Sequence, residues 1–381
     1  DGIEVRRDGV AVVREEQKVL WTVGDAQKGG YEHFMLKEIH EEPRVMRDTL
    51  GEYIYQQDAT AEIAAMCGLD KGHPILTACG TSYYAALLGQ YLLEELMGIP
   101  ARACLAGEFN YAHTPVSSGA IALTQSGETA DTIKAMRKIK ETGFPVVAIT
   151  NVVGSSASRI ADRVIYTRAG LEISVAATKT FIAQLVALYW LALSSARIST
   201  GNLERLIREF KQLPGKLEQI LNREEEIMAY AEYLSPSRDI FFIARGINFP
   251  VALEGALKMK EIAYIHAEGY SAGELKHGSF ALLGPETPVV AILTQDNTYE
   301  AMISNIKEVK ARGAPVITLT GEDESVSANL ADIVIKRPQV SPLFSPVVNA
   351  VVLQLLAYYV ARCRGCPIDR PRNLAKSVTV E

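Results

Sequence analysis

The sequence predicts an α/β protein in which a doubly wound parallel sheet, three layers deep, is built twice. Three observations carry this. Short continuous apolar runs such as Ile75–Ala78 and Ile121–Thr124 alternate with helical patterns of roughly 10–15 residues, as strands buried on both faces of a parallel sheet do. Laying Leu123–Ile165 over Leu293–Ile335, a constant shift of 170 residues, matches 14 of 43 positions without a gap. At 381 residues the chain also exceeds what one core sustains, since single cores rarely grow past about 250–300 residues.

Each element follows in order. Residues 1–27 hold two short runs, "IEVRR" and "VAVVREE", that read as a hairpin without a sheet of its own, and the chain opens on Asp1 rather than Met, as a fragment would. Residues 28–50 read as a charged helical segment starting near Tyr31. Residues 51–200 read as the first domain. Its run Ile75–Ala78 leads through a Gly turn into an amphipathic helix, and Ile121–Thr124 precedes a Lys- and Glu-rich one. Pro145–Thr150 and Arg163–Thr167 follow as strands. Phe181–Leu193, thirteen residues including a Gln, falls short of the ~20 that span a bilayer and reads as a buried helix. Residues 201–236 read as connecting helices. Residues 237–365 repeat the plan with Ile240–Ala244, Val289–Thr294, Pro315–Thr320 and Ile333–Ile335, and close on the apolar helix Val347–Val360. The tail, residues 366–381, ends in "PRNLAKSVTVE", too apolar for a loose end.

Composition excludes several classes. Hydrophobic residues at 48% and charged residues at 22% suit a soluble globular protein, and a net charge of −6 argues against a nucleic-acid surface. No membrane span or signal peptide is visible. The five cysteines Cys67, Cys79, Cys104, Cys363 and Cys366 make no disulfide framework, which fits a reducing cytoplasm. Cys363 and Cys366 form a lone C-x-x-C with no second pair and no nearby histidine, so no metal is expected.

Open α/β sheets take ligands beyond the carboxyl ends of their strands, at helix N-termini. Cys79-Gly80-Thr81-Ser82 and Thr124-Gln125-Ser126-Gly127-Glu128-Thr129 lie at such edges and offer backbone N–H groups, a positive helix end and hydroxyls. Neither G-x-x-x-x-G-K-S/T nor G-x-G-x-x-G occurs, so no nucleotide cofactor is expected, and a phosphate monoester fits. Ser and Thr also serve as plain helix caps, and residue type alone leaves the two readings even. The repeat separates them: the aligned turn of the second copy, Gln295-Asp296-Asn297-Thr298-Tyr299, carries Asp where Ser126 stands. One copy is expected to bind and the other to scaffold.

The second copy has its own dense stretch, Leu253–Ser279. Glu254, Lys258 and Glu261 are spaced four and three apart and share a helix face, which for a bare charge pattern is usually solvated. Here the flanks Ala252, Leu253, Ala256, Leu257, Ile262 and Ala263 are apolar, so the charges are expected to be buried for a reason. His277, in a glycine-flanked loop, suits proton transfer near neutral pH, whereas His266 reads as a core histidine on the helix. Lys376, between Ala375 and Ser377, is either a solvated ammonium or an amine nucleophile for a carbonyl.

Together "CGTSYYAALLG", "LTQSGETADT", "ALEGALKMKEIAYIHAEGYSAGELKHG" and "PRNLAKSVTVE" resemble the isomerase half of the glucosamine-6-phosphate synthases (glutamine–fructose-6-phosphate aminotransferases), over about Lys28–Glu381. The resemblance implies two sugar isomerase (SIS) domains of flavodoxin-like form, fructose 6-phosphate as substrate and glucosamine 6-phosphate as product. It also implies a homodimer, and an N-terminal glutaminase half whose last hairpin and linker are residues 1–27. On the same ground Thr81, Ser82, Gln125, Ser126 and Thr129 contact the sugar phosphate. Cys79 and Gly80 lie in the same turns, as does Thr124, at a place usually held by Ser. Val175 and Ala177 belong to a loop over the sugar, with Ala177 where Ser is common; Ala375 lies beside the lysine, and Ser279 replaces a usual Pro. Glu261 is implied as the base between C1 and C2 with Lys258 beside it, His277 as the ring-opening group from the neighbouring subunit, and Lys376 as the imine-forming lysine. Two rivals share the fold: a deglycase of phosphorylated sugar amines and a non-enzymatic sugar-phosphate regulator. The second could dispense with Glu261, Lys376 and His277, and this chain has all three.

Overall fold

The computed structural model describes residues 4, 6–7, 9–11, 23–54, 57–69, 72–113 and 115–380. Near the start, β1 (Arg6–Arg7) and β2 (Val10–Ala11) pair antiparallel, and the remainder of that expected hairpin lies outside the described residues. The first parallel sheet comprises β3 (Ile75–Ala78), β4 (Arg102–Leu105), β5 (Ala120–Thr124), β6 (Val146–Thr150) and β7 (Arg163–Tyr166), in the order β4-β3-β5-β6-β7. The second comprises β8 (Asp239–Ala244), β9 (His266–Ser271), β10 (Val289–Ile292), β11 (Val316–Gly321) and β12 (Ile333–Arg337), in the order β12-β11-β10-β8-β9. The strand order is the same in both. The expected doubly wound sheet is built twice.

Each sheet has one strand more than the apolar runs predict. β4 and β9 are edge strands, half exposed, and their sequences RACL and HAEGYS carry no continuous apolar run to mark them. His266 is a further correction. It opens β9 instead of lying in a buried helix, its side chain is 62% exposed, and it pairs with Asp239 at 2.8 Å and Glu268 at 3.3 Å.

Side chains alternate across each strand, and that alternation divides the core in three. Leu76, Ile121, Val147 and Ile149 of the first sheet join Phe242, Val290, Ile317 and Leu319 of the second in one continuous apolar cluster. The helices Gly80–Met97, Lys179–Ser194, Phe249–Ala263 and Ser345–Cys363 complete it between the sheets. The opposite faces make two separate clusters, one around Ile75, Ala122 and Met136, the other around Phe241, Ala291 and Met302. At about 1.5–3 kcal/mol for each fully buried large aliphatic side chain, the shared cluster binds the domains into one cooperative body. The segment Pro342–Cys363 is long and apolar enough to cross a membrane, yet its most apolar window is wholly buried in this core.

Candidate active site

β3 empties into Cys79, the N-cap of the helix Gly80–Met97, and β5 into the turn before the helix Ala130–Glu141. In this second turn hydroxyls serve the loop's own N–H groups. Gly127 N–H donates to Thr124 Oγ1 at 3.2 Å and Glu128 N–H to Ser126 Oγ at 3.1 Å, while the Thr124 and Thr129 hydroxyls pair at 3.2 Å. Ser126 Oγ also accepts from Ser377 at 3.2 Å, which leaves its own proton to donate. Glu128 turns away from the turn: its carboxylate accepts the Ser156 N–H at 2.7 Å, and the hydrogen bonds from Ser156 hold its pKa below the usual carboxylate range. An anion on the turn therefore meets hydroxyls instead of a carboxylate.

The first turn connects the two domains. Lys258 Nζ donates to Thr81 Oγ1 at 3.0 Å, and Thr81 Oγ1 donates to Glu254 Oε1 at 3.3 Å. Ser82 is buried and accepts from Gln184 Nε2 at 2.9 Å. The half-buried Cys79 accepts from Thr132 Oγ1 at 3.7 Å, and burial pushes its thiol pKa up. Gln125 is half buried, and its carbonyl accepts the Asn151 N–H at 3.2 Å.

The helix Phe249–Ala263 starts with Pro250 in its first turn, where a missing N–H costs nothing, and stops at Tyr264 in the left-handed region with φ 55°. Along one stripe, Lys258 Nζ lies 3.3 Å from Glu254 Oε1 and 2.5 Å from Glu261 Oε2. The Lys258 side chain is fully buried and that of Glu254 nearly so, while that of Glu261 is 21% exposed. The stripe is therefore not a solvated face. Burial favours the neutral amine of Lys258, but the two carboxylates outweigh it and hold the ammonium. Burial raises the Glu254 pKa to about 7, against the pull of Lys258.

The tail crosses from the second domain to the hydroxyl-lined turn of the first. The Asp369 carboxylate accepts the Phe34 and Met35 N–H groups at 3.0 Å each, capping the helix Phe34–His40, and its carbonyl accepts the Val175 N–H at 3.1 Å. Arg372 N–H donates to Tyr264 Oη at 2.7 Å, and Val378 C=O accepts the Ala130 N–H at 3.1 Å. Ala375 is exposed, and Lys376 Nζ donates to Glu172 Oε2.

Glu172 escaped the sequence reading. Its side chain is 0% exposed, its Oε1 accepts the N–H groups of Thr178 (3.0 Å) and Thr180 (3.1 Å), and its Oε2 accepts the Thr180 hydroxyl at 2.8 Å. The half-buried Val175 and Ala177 lie on the loop it braces. From the other side Glu38 accepts the Ile173 N–H at 2.5 Å and the Ser174 N–H at 3.2 Å, and burial next to Glu172 raises its pKa to about 8. The only sequence signal was an acidic residue among small and apolar neighbours in "AGLEISVAATK".

Thr81, Lys258 and Glu261 are thus joined through direct contacts, and the tail residue next to Lys376, Ser377, touches Ser126, but His277 joins neither group. It sits exposed at the end of the short 3₁₀ turn Ala272–His277, with no recorded hydrogen bond or ion pair among the described residues. Ser279, on the next turn, is half buried. Among the described residues no group of three His, Cys, Asp or Glu is arranged to hold a metal ion.

Two parallel sheets of identical strand order define a double SIS-domain protein, and the SIS domain family matches residues 69–194 and 233–362. The chain belongs to the SIS-domain family. It is 48% identical over 386 residues to a glutamine–fructose-6-phosphate aminotransferase (isomerizing) of Methanosarcina acetivorans, covering 98% of this chain and 62% of the relative. It is 48% identical to the enzyme of the same name from Thermococcus kodakarensis, again covering 98% of this chain and 62% of the relative. The chain spans under two thirds of the length of these curated relatives. Among solved structures it resembles the C-terminal domain of glucosamine-fructose-6-phosphate aminotransferase from Francisella tularensis, at 36% identity and a TM-score of 0.85, covering 91% of this chain and all of that one.

Proposed function

We propose that the chain is the isomerase half of a glutamine–fructose-6-phosphate aminotransferase, binding fructose 6-phosphate and, with ammonia from a glutaminase half, forming glucosamine 6-phosphate. One observation carries the reading. Ser377, the residue next to Lys376, touches Ser126 on the hydroxyl-lined turn, so a hexose anchored by its phosphate on that turn lies beside an amine. Thr81, Ser82, Gln125, Ser126 and Thr129, with the helix N-termini behind them, take the phosphate; Val175, Ala177 and Ala375 border the sugar. Lys376 condenses with C2 of the open-chain ketose, and the resulting iminium acidifies the C1 proton. Ammonia displaces the lysine, and Glu261, paired with Lys258, carries the proton from C1 to C2. His277, exposed in this chain, opens the ring of sugar held by a second copy, which makes the working unit a homodimer. A reducing cytoplasm belongs to the same reading and is supported by five unpaired cysteines.

Incubating the 381-residue chain with fructose 6-phosphate and following glucose 6-phosphate tests the reading. Glu261→Gln is expected to lower turnover by about 10²–10⁴-fold with little change in sugar affinity. Unaltered turnover in that variant, or no binding of fructose 6-phosphate, overturns it.

A further inference from the structure

The proposed nucleophile is met by a carboxylate from the interior. Nζ of Lys376 pairs with Glu172, whose side chain has no contact with solvent. An ammonium has no lone pair, so Lys376 must shed a proton before it can attack a carbonyl. We infer that Glu172 is a catalytic residue that takes this proton from Lys376 and returns it when water leaves C2. The inference rests on the imine reading of Lys376.

The two oxygens of Glu172 divide the work. Oε1 receives both backbone N–H groups, from Thr178 and Thr180, and these donors cannot reverse. Oε2 receives only the Thr180 hydroxyl and Lys376. A hydroxyl can turn and accept as readily as it donates. The oxygen that faces the ammonium is therefore the one whose other partner tolerates a proton arriving there. A carboxylate needed only to pin the loop would be satisfied by the bonds at Oε1.

The surrounding charges keep Glu172 ready to accept. Burial works against its ionised form, but Lys376 and the Thr178 and Thr180 donors outweigh burial and lower its pKa. On the far side of the loop Glu38, raised to about 8, is mostly protonated at neutral pH, and burial likewise raises Glu42. Lys179 also acts on Glu38, but it is paired with Glu41 at 2.6 Å. Glu172 thus holds the carboxylate charge that pairs with the Lys376 ammonium.

The step balances. One ammonium proton moves from Nζ to Oε2, and the freed lone pair bonds to C2 while the carbonyl π pair moves to oxygen. A second proton shifts from nitrogen to that oxygen, giving a carbinolamine. Glu172 then returns its proton to the hydroxyl, the C–O bond breaks, and water leaves with two of the three ammonium protons. The third stays on the iminium nitrogen, which pairs with the restored carboxylate.

The test traps the iminium with borohydride. The 381-residue chain is incubated with fructose 6-phosphate across a pH series, and reduced adduct on the Lys376 peptide is quantified by mass spectrometry. Glu172→Gln keeps an acceptor for the loop N–H groups. It is expected to slow trapping at least about tenfold at pH 7 and to recover at alkaline pH, where hydroxide takes the proton in place of the carboxylate. Thr180→Val removes a donor from Oε2, so the acid limb of the trapping rate should move up by as much as about one pH unit. That variant decides the matter should Glu172→Gln not fold. Glu172→Gln trapping like wild type at pH 7, trapping slowed equally at every pH, or a Thr180→Val profile that superimposes on wild type overturns the inference. No adduct in the wild type overturns the imine reading itself, and this inference with it.

Discussion

In the first domain Lys140 reaches Asp162 at 2.6 Å, and in the second Lys310 reaches Asp332 at 2.7 Å. Each aspartate also accepts the first N–H of the neighbouring strand, Val146 at 2.8 Å and Val316 at 2.7 Å. The glycines Gly143 and Gly313, with φ 84° and 77°, end the preceding helices alike. One turn breaks the symmetry. Where the first domain sets Ser126 to receive the Glu128 N–H, the second sets Asp296, which accepts the N–H (2.7 Å) and hydroxyl (2.6 Å) of Thr298. Behind that turn Asn248 donates to Thr294 Oγ1 at 3.1 Å and to Ser345 Oγ at 2.8 Å. The repeats share the lysine–aspartate brace and the glycines, while Ser126 and its counterpart Asp296 differ.

The sharpest way to break this comparison is to exchange the two turns. Ser126→Asp puts a carboxylate beside the proposed phosphate. Two unit charges about 4 Å apart at an effective dielectric near 20 repel by about 4 kcal/mol, and each ~1.4 kcal/mol is tenfold in affinity. Fructose 6-phosphate should therefore bind about a thousandfold more weakly by titration calorimetry. Asp296→Ser should leave that affinity within about twofold. If Asp296→Ser weakens binding as much, the scaffold role of the second turn is wrong.

How much of this was legible in advance depended on range along the chain. The strands β3, β5, β6 and β8 announced themselves because both faces are buried and their sequences are unbroken apolar runs. β4 and β9 did not, because an edge strand needs only part of one face covered. The hydroxyl turn was visible because its oddity is local and the repeat supplies a control. Burial of Lys258 followed from apolar flanks on its own helix. Glu172 was hidden because its burial and its partner come from Lys376, 204 residues later, and from Glu38 on an N-terminal helix. No window of sequence contains that arrangement. His277 was singled out by its glycine-flanked loop, and the work proposed for it needs a second copy that one chain does not display.

A smaller effect separates glycines that the repeat treats alike from one it does not. Gly127 has φ 69°, and a Cβ there would lie 2.1 Å from Ser155 Oγ and 2.4 Å from Ser155 Cβ. Gly143 has φ 84° with nothing within 4 Å of such a Cβ. Gly143→Ala should lose only the left-handed backbone term, roughly 1–2 kcal/mol. Gly127→Ala adds overpacking of typically 1–3 kcal/mol and should lose about 2–5 kcal/mol in urea unfolding, along with sugar-phosphate affinity. Equal losses would mean that the turn gives way around an added methyl and is not fixed by its contact with Ser155.

The smallest effect tests the shared brace. Asp162→Ala and Asp332→Ala each orphan a strand N–H and should each lower stability by about 1 kcal/mol. The corresponding Asn variants should recover most of it, since the N–H keeps its acceptor and a part-exposed ion pair is worth little. In both aspartates burial acts to raise the pKa, and the lysine and backbone donors outweigh it. A carboxyl depressed on folding stabilises above its unfolded value of ~3.9 and loses that contribution as the pH falls through its folded value. Each Ala variant should therefore lose part of the wild type's acid sensitivity, by the same amount in either domain. Because the apolar cluster runs through both sheets, each variant should shift one common unfolding transition. Two separable transitions, or an Asp162 effect several times that of Asp332, would mean that the repeats do not share one frame.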